Sequence, residues 1–303
     1  MVEGDLDSLL DRIPVLAGPR AVADLLGGLT NRIVRVTTRT GDYVVRLSQG
    51  DAGLLGIDRD AEHANSLAAA EAGVGPHVVD YRPDLGMLVL TFLLGKGLTN
   101  ETIGDPRVLA RVADAVRRLQ AGPRFTGDFD MFARQAAYLA LVREHGFALP
   151  DDYDDFAPQW ERVRRALAVR PSPTVPCNND LLLGNFIDDG TRVWLIDYEY
   201  SGNNDPAFEL GNTATECDLT REQADELVAS WAGGDLDPVF RARVELQSLC
   251  SEYGWSLWGF IQAATSPIAY DFHGWGMERF EKAARRFTSD GFEELLDAVA
   301  LGG

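Results

Sequence analysis

Apolar and polar residues change their spacing twice along the chain. From Asn31 to Thr38 and from Asp42 to Leu47, β-branched residues alternate with polar ones, the period of half-buried strands, and Thr-Gly-Asp between them signals a hairpin. Ile57 to Ala72 then carries small and charged residues at helical spacing and stops at Gly73, and short apolar segments follow around His77 to Tyr81 and Gly86 to Leu94. The predicted order is strand, strand, helix, strand, strand. Strand character is lost from Thr91 to Asn100, where glycines enter and a hinge is expected. Beyond it, Pro106 to Leu119, Met131 to Glu144, Tyr153 to Val169, Arg221 to Trp231, Pro238 to Thr265 and Trp275 to Ala298 repeat apolar residues every three to four positions, which predicts helices. One interruption stands out: Asn185 to Ile187 and Val193 to Ile196 flank Asp-Asp-Gly-Thr and read as a second hairpin. The pattern is α+β, with a small mixed lobe over residues 1–95 and a mostly helical one over 96–303.

Composition narrows what such a chain can do. At 303 residues and 46% hydrophobic content it can bury a sizeable core, so disorder as the main state is excluded. A formal charge of -19 repels phosphate backbones and anionic membranes; it draws in cationic small molecules, and it equally serves solubility. Cys177, Cys217 and Cys250 are too scattered for a disulfide framework or a C-x-x-C metal site. The acidic start lacks a signal-peptide pattern and no apolar run reaches the ~20 residues of a membrane span, so a soluble, cytoplasmic protein is expected. His63, His77, His145 and His273 form no metal-ligand spacing, and neither a G-x-S-x-G elbow nor a P-loop is present.

Chemistry concentrates around the second hairpin. In Cys177-Asn178-Asn179-Asp180-Leu181-Leu182-Leu183-Gly184-Asn185 a carboxylate and a carboxamide lie 5 residues apart, and Asp197 follows 17 positions after Asp180. Phosphoryl transfer needs a carboxylate to orient and deprotonate the attacking hydroxyl, and oxygen ligands to hold Mg²⁺ on nucleotide phosphates. Taken singly, Asn178 to Asp180 is as well read as a polar turn and Asp197 as a strand cap. Together, behind a strand-rich lobe and with an apolar hairpin between, they read as a kinase site.

Through Pro176 to Asn185, Leu195 to Asn204, Phe208 to Asn212 and Trp255 to Gly259, the chain resembles choline and ethanolamine kinases, within the wider family that includes aminoglycoside phosphotransferases. The resemblance covers nearly the whole chain and implies a two-lobed protein-kinase-like fold with ATP in the cleft, a small β-rich N-lobe and a larger mostly helical C-lobe. It implies Asp180 as the catalytic base, for which no raised pKa is required, and Asn185 and Asp197 as Mg²⁺ ligands. In the small lobe it places Arg46 against the nucleotide phosphates with Glu62 as ion-pair partner, though both also read as exposed charges. Gly28, Thr30 and Asn31 would turn over the phosphates through backbone N–H groups, in a segment that is not G-x-G-x-x-G.

For the acceptor, the resemblance implies the hydroxyl of choline or ethanolamine, its cation held by Tyr200, Trp255, Trp258 and Trp275 with Glu199 and Glu216 as acidic partners. Trp255 and Trp258 at helical spacing also read as core packing, the role assigned to Trp160, Trp194 and Trp231. Glu209 is expected to anchor the catalytic loop from the next helix. Asn178 departs from the family, which usually has His there, and its amide can replace some of that ring's hydrogen bonds. Two other readings stay open: an aminoglycoside acceptor, which calls for an open, carboxylate-rich cleft, and a non-catalytic nucleotide-binding protein, suggested by Asn178 and the irregular glycine segment.

Overall fold

The computed structural model describes residues 3–25, 31–48 and 53–301. The first part of the chain runs α1 (Glu3–Leu10), β1 (Ala21–Leu25), β2 (Asn31–Thr37), β3 (Asp42–Ser48), α2 (Arg59–Glu71), β4 (Val78–Arg82) and β5 (Met87–Thr91). Its strands form one antiparallel sheet in the order β1-β2-β3-β5-β4. Alternation decides its two faces. Tyr43, Val45 and Leu47 of β3 join Val34, Val36, Met87 and Val89 in a core closed by Leu6, Leu10, Ile13 and Leu16, at and just after α1. Val44 and Arg46 point the other way, with Ile33, Leu88 and Leu90, into the central cleft. Asp58 caps α2 by accepting from the backbone N–H of Asp60 and Ala61, and Gly73 at φ 71° follows its end.

The connection to the larger lobe is more structured than a hinge. Lys96–Gly97 (β6) pairs with β8 (Phe186–Asp188), which pairs in turn with β9 (Val193–Leu195). A Cβ on Gly95 would lie 2.7 Å from Ile187 Cγ2, so the linker runs flush against the hairpin. The remaining elements are α3 (Asn100–Ile103), α4 (Pro106–Gln120), α5 (Met131–His145), α6 (Ala157–Val169), β7 (Val175–Cys177), β10 (Gly202–Asn204), α7 (Pro206–Glu216), α8 (Arg221–Ala232), α9 (Pro238–Thr265), α10 (Phe272–Phe287) and α11 (Phe292–Leu301). Among the described residues no helix is long and apolar enough to cross a membrane.

At the centre lies α9, 28 residues long and buried on every side from Leu246 to Gln262. Two crossings bring helices onto it backbone to backbone. A Cβ on Gly211 of α7 would sit 2.6 Å from Ser248 N, and one on Gly259 of α9 would sit 2.7 Å from Gly276 Cα of α10. No other residue fits at either position without parting the helices.

Several expectations need correction. The helix expected over Trp275 to Ala298 is two, because the chain turns at Ser289-Asp290-Gly291 between α10 and α11. The segment from Tyr153 opens as a 3₁₀ turn, Tyr153–Phe156, before α6. Asn185 ends a 3₁₀ turn, Leu183–Asn185, instead of starting a strand. α1 and β1 were not anticipated: α1 is short, and β1 is a mostly exposed edge strand without a buried face to impose alternation.

Candidate active site

The catalytic loop leaves β7 and is held from below by α7. Glu209, buried on that helix, accepts the backbone N–H of Asn178 (2.6 Å) and of Asn179 (2.8 Å), and Asn212 accepts that of Leu181 (2.7 Å). Burial pushes the Glu209 carboxyl up to about 7, against the opposing pull of those two hydrogen bonds. Asn179 takes φ 67°, a left-handed conformation that Asn tolerates, and its carboxamide donates to the carbonyls of Cys177 (3.2 Å) and Tyr200 (3.1 Å).

Asn178 links the two halves of the site. Its Nδ2 donates to the carbonyls of Asp197 (2.8 Å) and Ile196 (3.2 Å), and its Oδ1 accepts the Asp180 N–H (3.1 Å). One amide thus braces the base candidate against the metal-ligand candidate. Asn178→Ala strands two partly buried carbonyls and one N–H, and about 1–2 kcal/mol of stability should be lost. We expect kcat to fall with KM little changed and Asn178→His to recover part of both losses, as steady-state kinetics and urea melts will read.

Asp197 follows β9 in a left-handed conformation, φ 62°. Ile196 N–H donates to the Asn185 carbonyl (3.0 Å) and Asn185 Nδ2 to the Asp180 carbonyl (2.7 Å), so that Oδ1 is the atom with which this side chain could bind a metal. Asp197 Oδ1 is buried with no hydrogen-bond partner among the described residues, an expensive state for a carboxylate. Burial, then the charges of Glu199 and Glu62, push Asp197 up to about 8. Asp180 is raised well above the usual carboxylate range by burial and by the nearby Glu216 and Asp197. Carboxylates crowded in this way fit a divalent cation. Mg²⁺ takes one or two protein ligands and completes its shell from phosphates and water, a demand that the Asn185 and Asp197 oxygens would suit.

Across the cleft, Arg46 Nη1 donates to Glu62 Oε2 at 2.6 Å. Arg59, not singled out from sequence, donates to both Glu62 (2.8 Å) and Glu199 (3.0 Å). Asn31 donates to Glu199 and accepts from Arg59, each at 3.0 Å. Glu199, expected at the acceptor, therefore ties the metal-ligand strand to the small lobe. The clue to Arg59 was its i,i+3 spacing to Glu62. Gly28 and Thr30 lie outside the described residues.

At the far end of the same cleft stand Tyr200, Trp255, Trp258, Trp275 and Glu216. Trp258 Nε1 donates to Tyr200 Oη (2.9 Å), Tyr200 meets Trp255 edge-on (centroids 4.9 Å) and Trp258 meets Trp275 edge-on (5.1 Å). Glu216 is gripped by Arg279, which was not assigned a role: Nε donates to Oε1 at 3.1 Å and Nη2 to Oε2, while the guanidinium lies 3.3 Å from the Trp275 ring centroid. The cleft, of about 680 Å³, is lined by Arg46 and Glu62 at one end, by Asp180, Asn185 and Asp197 in the middle, and by these aromatic rings at the other.

A model of the phosphotransferase enzyme family matches residues 22–244. A solved choline/ethanolamine kinase family protein from Mesorhizobium loti is 32% identical over the whole of both chains, with a TM-score of 0.86. The chain belongs to the choline/ethanolamine kinase family. Human ethanolamine kinase 1 is 26% identical over 84% of this chain, which spans 65% of the human protein. Choline kinase LicA from Streptococcus pneumoniae, 20% identical over 93% of this chain and 98% of its own, superposes with a TM-score of 0.76 and shares the fold.

Other contacts of this kinase-family chain lie outside the cleft. Asn65 of α2 donates to Ser201 Oγ (3.0 Å) and accepts Thr126 N–H (2.8 Å), which fastens the small lobe beside the metal-ligand strand. Trp160 packs on Phe132 and Tyr253, and Trp231 on Phe240. Trp194, expected in packing, is instead half-buried on the hairpin, where it donates to Asp189 (2.9 Å) under the Arg192 guanidinium.

Proposed function

We propose that the chain is an ATP-dependent kinase that transfers the γ-phosphoryl group to the hydroxyl of an amino alcohol, choline or ethanolamine. One observation carries this reading: a base, two oxygen ligands, an anchored arginine and an aromatic, acid-bearing pocket all line a single cleft. The nucleotide base would lie between the apolar sheet face of Val44, Leu88 and Leu90 and the hairpin residues Ile187 and Ile196, so residues 1–95 act as the nucleotide lobe. Arg46, fixed by Glu62, is positioned for phosphate oxygens.

Asn185 and Asp197 would hold Mg²⁺, which when bound neutralises charge on the phosphates. Asp180 accepts the acceptor's hydroxyl proton as the new O–P bond forms and the bond to the leaving diphosphate breaks. The upward push on its carboxyl brings it nearer the range of an effective base, although a cation alongside pulls it back. The acceptor's cationic end lies among the rings, beside Glu216.

A panel of acceptors assayed by nucleotide consumption tests this. Turnover with choline or ethanolamine and none with aminoglycosides is expected. Preference for an aminoglycoside would demote the tryptophans to core residues, and tight Mg-ATP binding without turnover of any alcohol would mean a non-catalytic binder.

A further inference from the structure

We infer that Arg279 selects the acceptor: it is a resident cation in the acceptor pocket and favours a primary-ammonium alcohol, ethanolamine, over the trimethylammonium group of choline. The inference rests on the amino-alcohol reading above and deepens it. Two of the groups expected to hold the acceptor's cation, the Glu216 carboxylate and the Trp275 ring, are both engaged by Arg279. The Glu216 side chain, 2% exposed, takes two hydrogen bonds from the guanidinium. Of the four rings, Tyr200, Trp255 and Trp258 are 4, 3 and 7% exposed, and their faces are spent on one another and on the core. Trp275 is half-buried and keeps surface toward the cleft, and it is on this ring that the guanidinium lies.

The two candidate acceptors meet this arrangement differently. A trimethylammonium group has no N–H and depends on ring faces. To use Trp275 it must push Arg279 away, which breaks a charge-assisted, two-point pair inside a largely dry site. A primary ammonium is compact and brings three donors, and a carboxylate offers about four lone-pair sites, of which Arg279 uses two. It can therefore bind Glu216 with the guanidinium in place. Asp180, whose carboxyl is close enough to feel the charges of both Glu216 and Arg279, supplies the second negative charge that two adjacent cations require. A guanidinium already engaged at two points has little left for an acceptor carboxylate, so hydroxy compounds that carry a carboxylate, such as serine, are not expected to be favoured.

Steady-state kinetics with Mg-ATP on choline, ethanolamine and serine test the inference in the wild-type protein, Arg279→Lys and Arg279→Ala. Wild type should favour ethanolamine over choline by about tenfold in kcat/KM, the scale of one desolvated cation–ring contact. Arg279→Lys keeps a cation for Glu216 while uncovering Trp275, and should shrink that preference about tenfold through a lower choline KM. Arg279→Ala should do the same if it folds, and since it leaves a buried carboxylate unpaired, the lysine variant and the wild-type preference carry the test. A wild type that prefers choline or serine, or a choline-to-ethanolamine ratio that does not move in Arg279→Lys, overturns the role of Arg279 and leaves the kinase reading intact. Absence of turnover with every amino alcohol in wild type removes the amino-alcohol reading itself, and the selection with it.

Discussion

Asp180→Asn should lower kcat about a thousandfold while the metal-free melting temperature stays level or rises. The amide keeps the shape of the carboxylate but cannot accept the hydroxyl proton, so the loss should fall on kcat with little change in acceptor KM. Stability moves the other way because the native carboxylate is crowded by Glu216, Asp197 and Glu199 in a desolvated cleft, which raises the free energy of its ionised form. A neutral group there relieves that repulsion. Rate measurements and calorimetry on the same preparation check both halves, and a melting temperature several degrees lower would make Asp180 a structural residue.

Asp197→Asn should abolish detectable turnover, a loss of at least about a hundredfold, together with the stabilisation conferred by Mg-nucleotide. Its signature is in the pH dependence. Asp197 is pushed up to about 8 in the folded chain, above the value of about 4 for an unfolded aspartate. An acid raised by folding contributes stability that is complete below the unfolded value and is lost as pH rises through the folded one. Between pH 6 and 9 the metal-free protein should therefore lose stability, Mg-ATP should flatten the decline, and Asp197→Asn should flatten it without metal. Melts across that range, with and without Mg-ATP, show whether it does. A variant that still responds to Mg-ATP as wild type does would remove Asp197 from the metal site.

What could be read from sequence followed from how local each cause was. The β2–β3 hairpin and α2 carry their own signals in alternation, helical spacing and Gly73, and they lie within a residue or two of where they were expected. Asp180, Asn185 and Asp197 could be picked out because their spacing survives in one short stretch. Asn212 and Arg279 could not, since each has its meaning from a partner on another element, Glu216 being 63 positions from Arg279; Arg59 left only its i,i+3 spacing to Glu62, while its other partner, Glu199, is 140 positions away. Glu199, which the resemblance gave to the acceptor, lines the cleft and bonds to Asn31 and Arg59 of the small lobe, partners more than 100 positions away that no local pattern signals. The break between α10 and α11 leaves its trace in the five-residue step from Phe287 to Phe292 and in Gly291, short signals between two long apolar-periodic stretches.

The meeting of Gly259 and Gly276 has a consequence for how the pocket can be re-engineered. Trp258 and Trp275 are each the residue just before one of these glycines, and Arg279 lies one turn further along α10. The width of the proposed acceptor pocket should thus depend on two positions behind its wall that are not part of its lining. A single methyl group at Gly259 would force the helices apart, draw Arg279 away from Glu216 and admit bulkier alcohols at the expense of stability. Substituting the lining alone changes what the pocket prefers, and substituting the crossing changes how much it can hold.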